Sequence, residues 1–169
     1  MAGDKYLYLN TGTITEKAAV QSSAGAGDAG KIPALDASGR LDTTMMPTGI
    51  GADTATITAS EALAAGDLVN VWNSSGSFRV RKADASSSGK EAHGFVLAAV
   101  SNAASATVYF EGTNTQVTGL SPGVQYLSTT PGTVSSSSPT GAGVVSQRVG
   151  FATAATALNF QSNNPIVQA

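Results

Sequence analysis

The chain has no cysteine and a single histidine among its 169 residues. The absence of cysteine excludes disulfides, thiolate metal sites and thiol nucleophiles, leaves the redox compartment open, and means that stability must come from packing or assembly. Charge is scarce as well. Asp, Glu, Lys and Arg make up 12% of the residues, about half of the roughly 25% usual in soluble domains. Nine basic and eleven acidic side chains give a net charge of −2, which offers no electrostatic footprint for nucleic acid or anionic lipid, so neither is expected as a partner. No apolar run approaches the roughly 18 residues of a membrane span, and Met1 to Lys5 lead into no apolar export segment. A soluble protein is expected. Aromatics are only 6% of the chain, so its core should be modest. What the chain has in abundance is Ala, Gly, Ser and Thr, about half of all residues. The hydrophobic share of 41% still permits a folded core and argues against wholesale disorder.

Composition divides the sequence near Gly51. Residues 1–51 open with the strand candidate Lys5-Tyr-Leu-Tyr-Leu9, followed by Thr15 to Gln21, which has room for at most two helical turns. Ser22 to Gly30 is small-residued and reads as a flexible connector. Lys31 to Leu35 and Arg40-Leu41 flank Asp36-Ala-Ser-Gly39, whose Asp and Gly are placed as in a tight turn, predicting a small hairpin. Large apolar residues are too few here for an independent core, which predicts an extended arm ordered by something else. From Ala52 onward, β-favouring runs alternate with Gly, Pro, Ser and Asn clusters at intervals of roughly ten residues, the spacing of sandwiches and barrels. An all-β fold is expected, with a compact β-sandwich or barrel over 52–169. Candidate strands are Thr54 to Thr58, Leu68 to Trp72, Phe78 to Lys82, Gly94 to Val100, Thr107 to Glu111, Gln125 to Ser128, Val144 to Ala152 and Ala157 to Phe160. Alternation assigns Phe78 and Val80 to one face and Arg79 and Arg81 to the other. It also sets Val145, Gln147, Val149 and Phe151 against Ser146, Arg148 and Gly150. Asn73 to Gly76 suits a hairpin turn, the two Pro-Gly turns at 122–123 and 131–132 suggest a meander, and Ser135 to Gly143 suits a surface loop.

No enzyme constellation emerges. His93 lacks a nucleophile elbow or a second histidine and is given no role. Asp36 and Asp42 in DASGRLD superficially suggest a calcium loop, but Gly39 stands fourth where an EF-hand needs glycine sixth, so turn chemistry is the better reading. Gly25-Ala-Gly27-Asp-Ala-Gly30 matches the letters of a dinucleotide fingerprint without a preceding buried strand or a following helix. No cofactor or metal is expected. Arg79 and Arg81 share one strand face, which suits a carboxylate, a sugar or simply solvent, and Trp72, Tyr109, Phe110 and Tyr126 are sugar-stacking or core residues. Trp72, Arg79 and Arg81 therefore form the candidate ligand face.

The segment Ala29-Gly-Lys-Ile-Pro-Ala-Leu-Asp-Ala-Ser-Gly-Arg-Leu-Asp42, continuing through Met46-Pro-Thr-Gly-Ile-Gly51, resembles the short hairpin motif of tailed-bacteriophage head fibres, capsid decoration proteins and some tail fibres. The later segments Ala65 to Val71, Gly119 to Ser128 and Gln147 to Phe151 resemble the β-rich domain that accompanies it. The resemblance implies a non-enzymatic structural virion protein on the outer capsid surface, usually a homotrimer, whose N-terminal part holds the major capsid protein. Tyr6, Leu7, Tyr8, Leu9, Ile32, Leu35, Leu41, Met45, Met46 and Ile50 are then the expected attachment or trimer contacts. The alternative is a fibre-type module that binds a host surface glycan or receptor through its β-domain.

Overall fold

The computed structural model describes residues 5–47 and 50–169. It is all-β with antiparallel sheets and divides into two compact units, Met1–Gly51 and Ala52–Ala169.

The first unit holds one two-stranded sheet, β1 (Lys5–Asn10) and β2 (Thr13–Ala18), paired from Lys5↔Ala18 to Asn10↔Thr13. The helical turns expected from Thr15 are replaced by β2. Thr13, Ile14 and Thr15 are β-branched and fit a pleated surface, and Thr11 and Gly12, with φ of 48° and 91°, form the two-residue turn that returns the chain. The connector expected to be flexible carries a 3₁₀ turn, Gly25–Asp28. Asp28 fastens it, accepting from the Ala24 N–H (2.6 Å) and from Lys31 Nζ (2.6 Å). The DASG turn is present, with Gly39 at φ 73° and the Asp36 N–H donating to the Arg40 carbonyl (2.8 Å), but no ladder of strands flanks it. Instead Val20 bridges Pro33 in parallel, through Val20 N–H to Ile32 O (3.0 Å) and Ala34 N–H to Val20 O (2.7 Å). Asp42 caps a second 3₁₀ turn, Thr43–Met45, by accepting from the Thr44 N–H (2.9 Å). Thr48 and Gly49 of the hairpin motif, like Asp4, lie outside the described residues.

The second unit contains β3 (Thr54–Thr58), β4 (Leu68–Ser74), β5 (Ser77–Lys82), β6 (Gly94–Phe95), β7 (Ser105–Tyr109), β8 (Glu111–Asn114), β9 (Gly123–Leu127), β10 (Val134–Ser135), β11 (Val145–Ser146), β12 (Arg148–Ala154), β13 (Ala157–Gln161) and β14 (Ile166–Val167). Two five-stranded sheets dominate, in the orders β3-β7-β6-β4-β5 and β10-β9-β12-β13-β8, and β11 pairs with β14. Both five-stranded orders cross over, so the expected meander is not formed. The strand expected from Gly94 to Val100 ends at Phe95, and Val100 makes only an isolated bridge to Leu63.

The two sheets share a core, an arrangement consistent with a sandwich. Leu68 and Phe95 of the first meet Leu127, Val149, Leu158 and Phe160 of the second, and the Phe95 and Phe160 rings pack edge to face with centroids 5.6 Å apart. Burying several such side chains stabilises by roughly 1.5–3 kcal/mol each. A second cluster, Ala59, Leu63, Val69, Val80, Val96, Ala106 and Val108, fills the opposite side of the first sheet. Here the end strands approach each other: Ala59, just after β3, bridges Val80 of β5, and the Ser60 N–H donates to Val80 O (2.8 Å). The first sheet thus curls toward closure, which covers edges that would otherwise be open. Phe78 has the parity of Val80 but lies beyond the covered stretch and is 81% exposed, so the expectation of one buried face fails at that position.

Candidate functional site

The sequence-predicted residues fall on surfaces of both units, together on one sheet face in the second and dispersed in the first. In the first unit no described residue is buried. Strand parity places Leu7 and Leu9 on one face of the hairpin with Ile14, Leu9 and Ile14 being directly paired. These three side chains are 72%, 70% and 70% exposed. A salt bridge between Lys5 and Glu16 borders them. Tyr6 and Tyr8 lie half-buried on the other face, their ring centroids 6.3 Å apart, with the Lys17 ammonium 5.1 Å from the Tyr8 ring. The predicted set of contacts is therefore split between two faces, and Ile14, which lies between the strand candidate and the segment read as helical and belonged to neither, is a further apolar member. Ile32, Leu35, Leu41, Met46 and Ile50 are also exposed, while Met45 is half-buried. An isolated two-stranded hairpin is marginal in water, and this one leaves both strand edges and an apolar face without cover among the described residues.

The acidic groups of this unit serve its turns. Asp36 Oδ1 accepts from the Ser38 and Arg40 N–H groups (2.8 and 2.9 Å). The Ala24 N–H and the Lys31 ammonium hold the Asp28 carboxyl below its ordinary range, and the Thr44 hydroxyl and N–H do the same for Asp42. Turn chemistry thus occupies the DASGRLD aspartates. Among the described residues no group of three His, Asp or Glu is placed to hold a metal ion.

In the second unit, β4 and β5 pair Trp72 with Arg79 and Asn70 with Arg81, so all four lie on one face. That face starts as inter-sheet core at Leu68 and becomes polar at Asn70. Arg81 donates from Nε to Asn70 Oδ1 (3.0 Å) and from a terminal nitrogen to Gly89 O (2.6 Å), and its guanidinium carbon lies 4.5 Å from the Trp72 ring centroid. Trp72 Nε1 donates to Ser60 Oγ (3.2 Å). Trp72, Arg79 and Arg81 are each half-exposed. Tyr109 is stacked on Phe95 (5.4 Å) and Phe110 packs on the second cluster, so both are core residues. His93 is a structural acceptor, its Nδ1 taking the Val71 N–H (3.1 Å).

Small open clefts also mark the surface of this unit. One, of about 210 Å³, is lined by Gly66, Asp67, Gln116, Leu120 and Gly132 among others; another, of about 250 Å³, runs beside Leu97, Val100 and Tyr109. In the first cleft Asp67 is already engaged by Lys82 (3.3 Å) and the Ala64 N–H (2.7 Å).

No protein-family model matches the chain, and neither the curated proteins nor the solved structures contain a match to it. The functional reading therefore rests on the residues themselves.

Proposed function

We propose that this protein is a structural, non-enzymatic component of a tailed-phage virion, a decoration protein or head fibre on the outer capsid surface. Residues 1–51 attach it to the major capsid protein as an arm, and 52–169 form a β-sandwich within a homotrimer. The observation that carries the reading is the first unit's lack of any buried described residue combined with its row of exposed apolar side chains. A chain segment in that state gains its stability by lying against another surface, and the open edges of β1 and β2 are suited to strand addition. The charges of the unit favour apolar and backbone attachment over ionic attachment, because Lys5 pairs with Glu16 and Lys31 with Asp28.

Co-sedimentation of the full-length protein with undecorated phage heads tests this reading at low and at high salt. Wild type should bind at both, and Leu9→Asp combined with Ile14→Asp should abolish binding. Undiminished binding by that variant would reject attachment through the hairpin. Light scattering tests the trimer; a mass that stays at the 16.8 kDa of one chain across concentrations overturns it.

A further inference from the structure

Two arginines on β5 form no ion pair with a carboxylate among the described residues. Lys82 and Lys90 of the same unit pair with Asp67 (3.3 Å) and Asp84 (3.1 Å). Arg81 instead spends its donors on the Asn70 amide oxygen and the Gly89 carbonyl. The guanidinium of Arg79, directly across the ladder from Trp72, has neither hydrogen bond nor ion pair among the described residues. The carboxylates nearest this face in the hydrogen-bond network are held by backbone, Glu61 by the Lys82 N–H (2.8 Å) and Glu91 by the Gly89 N–H (2.9 Å), which leaves the Arg79 guanidinium as the uncommitted charge beside the indole.

The surroundings are pre-organised. The Trp72 indole is tethered through Nε1 to Ser60, and the Arg81 guanidinium, itself held by two hydrogen bonds, lies over one face of the ring, which leaves the opposite face for a ligand. Such a group meets a ligand with little further loss of side-chain freedom. A guanidinium takes a carboxylate through a planar fork of N–H donors, and an indole offers an apolar, electron-rich surface to the C–H face of a sugar ring. Opposed residues of an antiparallel pair stand roughly 4.5–5.5 Å apart at Cβ, about the width of one pyranose. We propose that the Trp72–Arg79–Arg81 face binds a carboxylated saccharide, with Arg79 holding the carboxylate and Trp72 the ring. This goes beyond capsid attachment and stands or falls independently of it.

Trp72 is the only tryptophan, so its emission reports on this face alone. Titrating the full-length protein with tetragalacturonate at low salt should shift that emission saturably, and maltotetraose, a neutral oligosaccharide of the same length, should not. Arg79→Gln should weaken the interaction by about tenfold or more, the scale of one charge-assisted contact. Arg79→Lys should retain an intermediate affinity, with far-ultraviolet dichroism unchanged in both variants. The proposal is overturned by the absence of a saturable shift, by equal affinity of the Arg79→Gln protein, or by equal binding of tetraglutamate, which would make the face a peptide site. Reproduction of the shift by acetate at matched carboxylate concentration overturns it as well.

Discussion

Gly150 of β12 has φ 135°, and a Cβ there would lie 1.9 Å from the Asn159 carbonyl oxygen of β13. Backbone strain and a clash with paired backbone coincide, so Gly150→Ala should cost about 3 kcal/mol or more. Gly119 (φ 71°) has nothing within 4 Å of the same construction, so Gly119→Ala should cost only the left-handed conformation, about 1–2 kcal/mol. Urea unfolding of both variants checks the contrast, and equal losses would show that the clash at Gly150 relaxes. Gln147 is another single-residue determinant. Its buried amide accepts from the Ala92 N–H (2.7 Å) and donates to Ala92 O (2.9 Å) and Asn163 O (3.1 Å). Asp84 contributes through pH. Burial opposes its charge, yet the Ser86 hydroxyl and N–H and the Lys90 ammonium outweigh burial and hold its carboxyl below the usual range. The unfolded chain then binds the proton more readily, so Asp84's contribution is present above the ordinary carboxylate range. It is lost as pH falls through the lowered folded value. Asp84→Asn should therefore be less stable than wild type at neutral pH, with the gap closing under strong acid; a gap that is constant with pH rejects this.

At the scale of elements, turn chemistry sets the hairpins. Ser75 and Gly76, at φ 53° and 85°, join β4 to β5, and the Asn73 side chain accepts from the Gly76 N–H (2.7 Å). Thr11 and Gly12 do the same work between β1 and β2, but a β-branched residue at positive φ is strained. Thr11→Asn should stabilise that hairpin by about 0.5–1 kcal/mol. Slower amide hydrogen exchange across β1 and β2 is the expected result, and unchanged or faster exchange rejects it. A bulge governs β12. Arg148 pairs with Tyr126 and Gly150 with Gln125, leaving Val149 as the extra residue. Parity reverses beyond it: Ala152 is buried while Phe151 faces outward, 37% exposed opposite Val124. The expectation that Phe151 shares the buried face with Val149 is corrected by that one inserted residue.

For the molecule as a whole, both apolar clusters lie within residues 52–169. Backbone bonds tie the two large sheets together, among them Leu68 N–H to Gly132 O and Ala85 N–H to Ser128 O, each 2.8 Å. The fragment 52–169 should accordingly give a β-type dichroism spectrum and one cooperative thermal transition. A helical spectrum, or a gradual melt without a transition, would show that its stability depends on residues 1–51.

The all-β character was legible in the sequence because period-2 alternation and Gly, Pro and Asn punctuation are local signals, fixed by each residue's own backbone preferences and its immediate neighbours. The same locality made the DASG turn, the Asn73–Gly76 hairpin turn and the shortage of core-forming residues before Gly51 readable. The remainder depends on partners far apart in the chain. Only the tertiary structure pairs β9 with β12 rather than in a meander, brings the strand ends together at Ser60 and Val80, and places Ile14 beside Leu9. It also decides that Arg81 is committed to Asn70 and Gly89 while the Arg79 guanidinium, across the ladder from Trp72, has no partner among the described residues. Strand order and side-chain pairing follow from long-range burial and hydrogen bonding, whose free energy is shared among residues that no local pattern links.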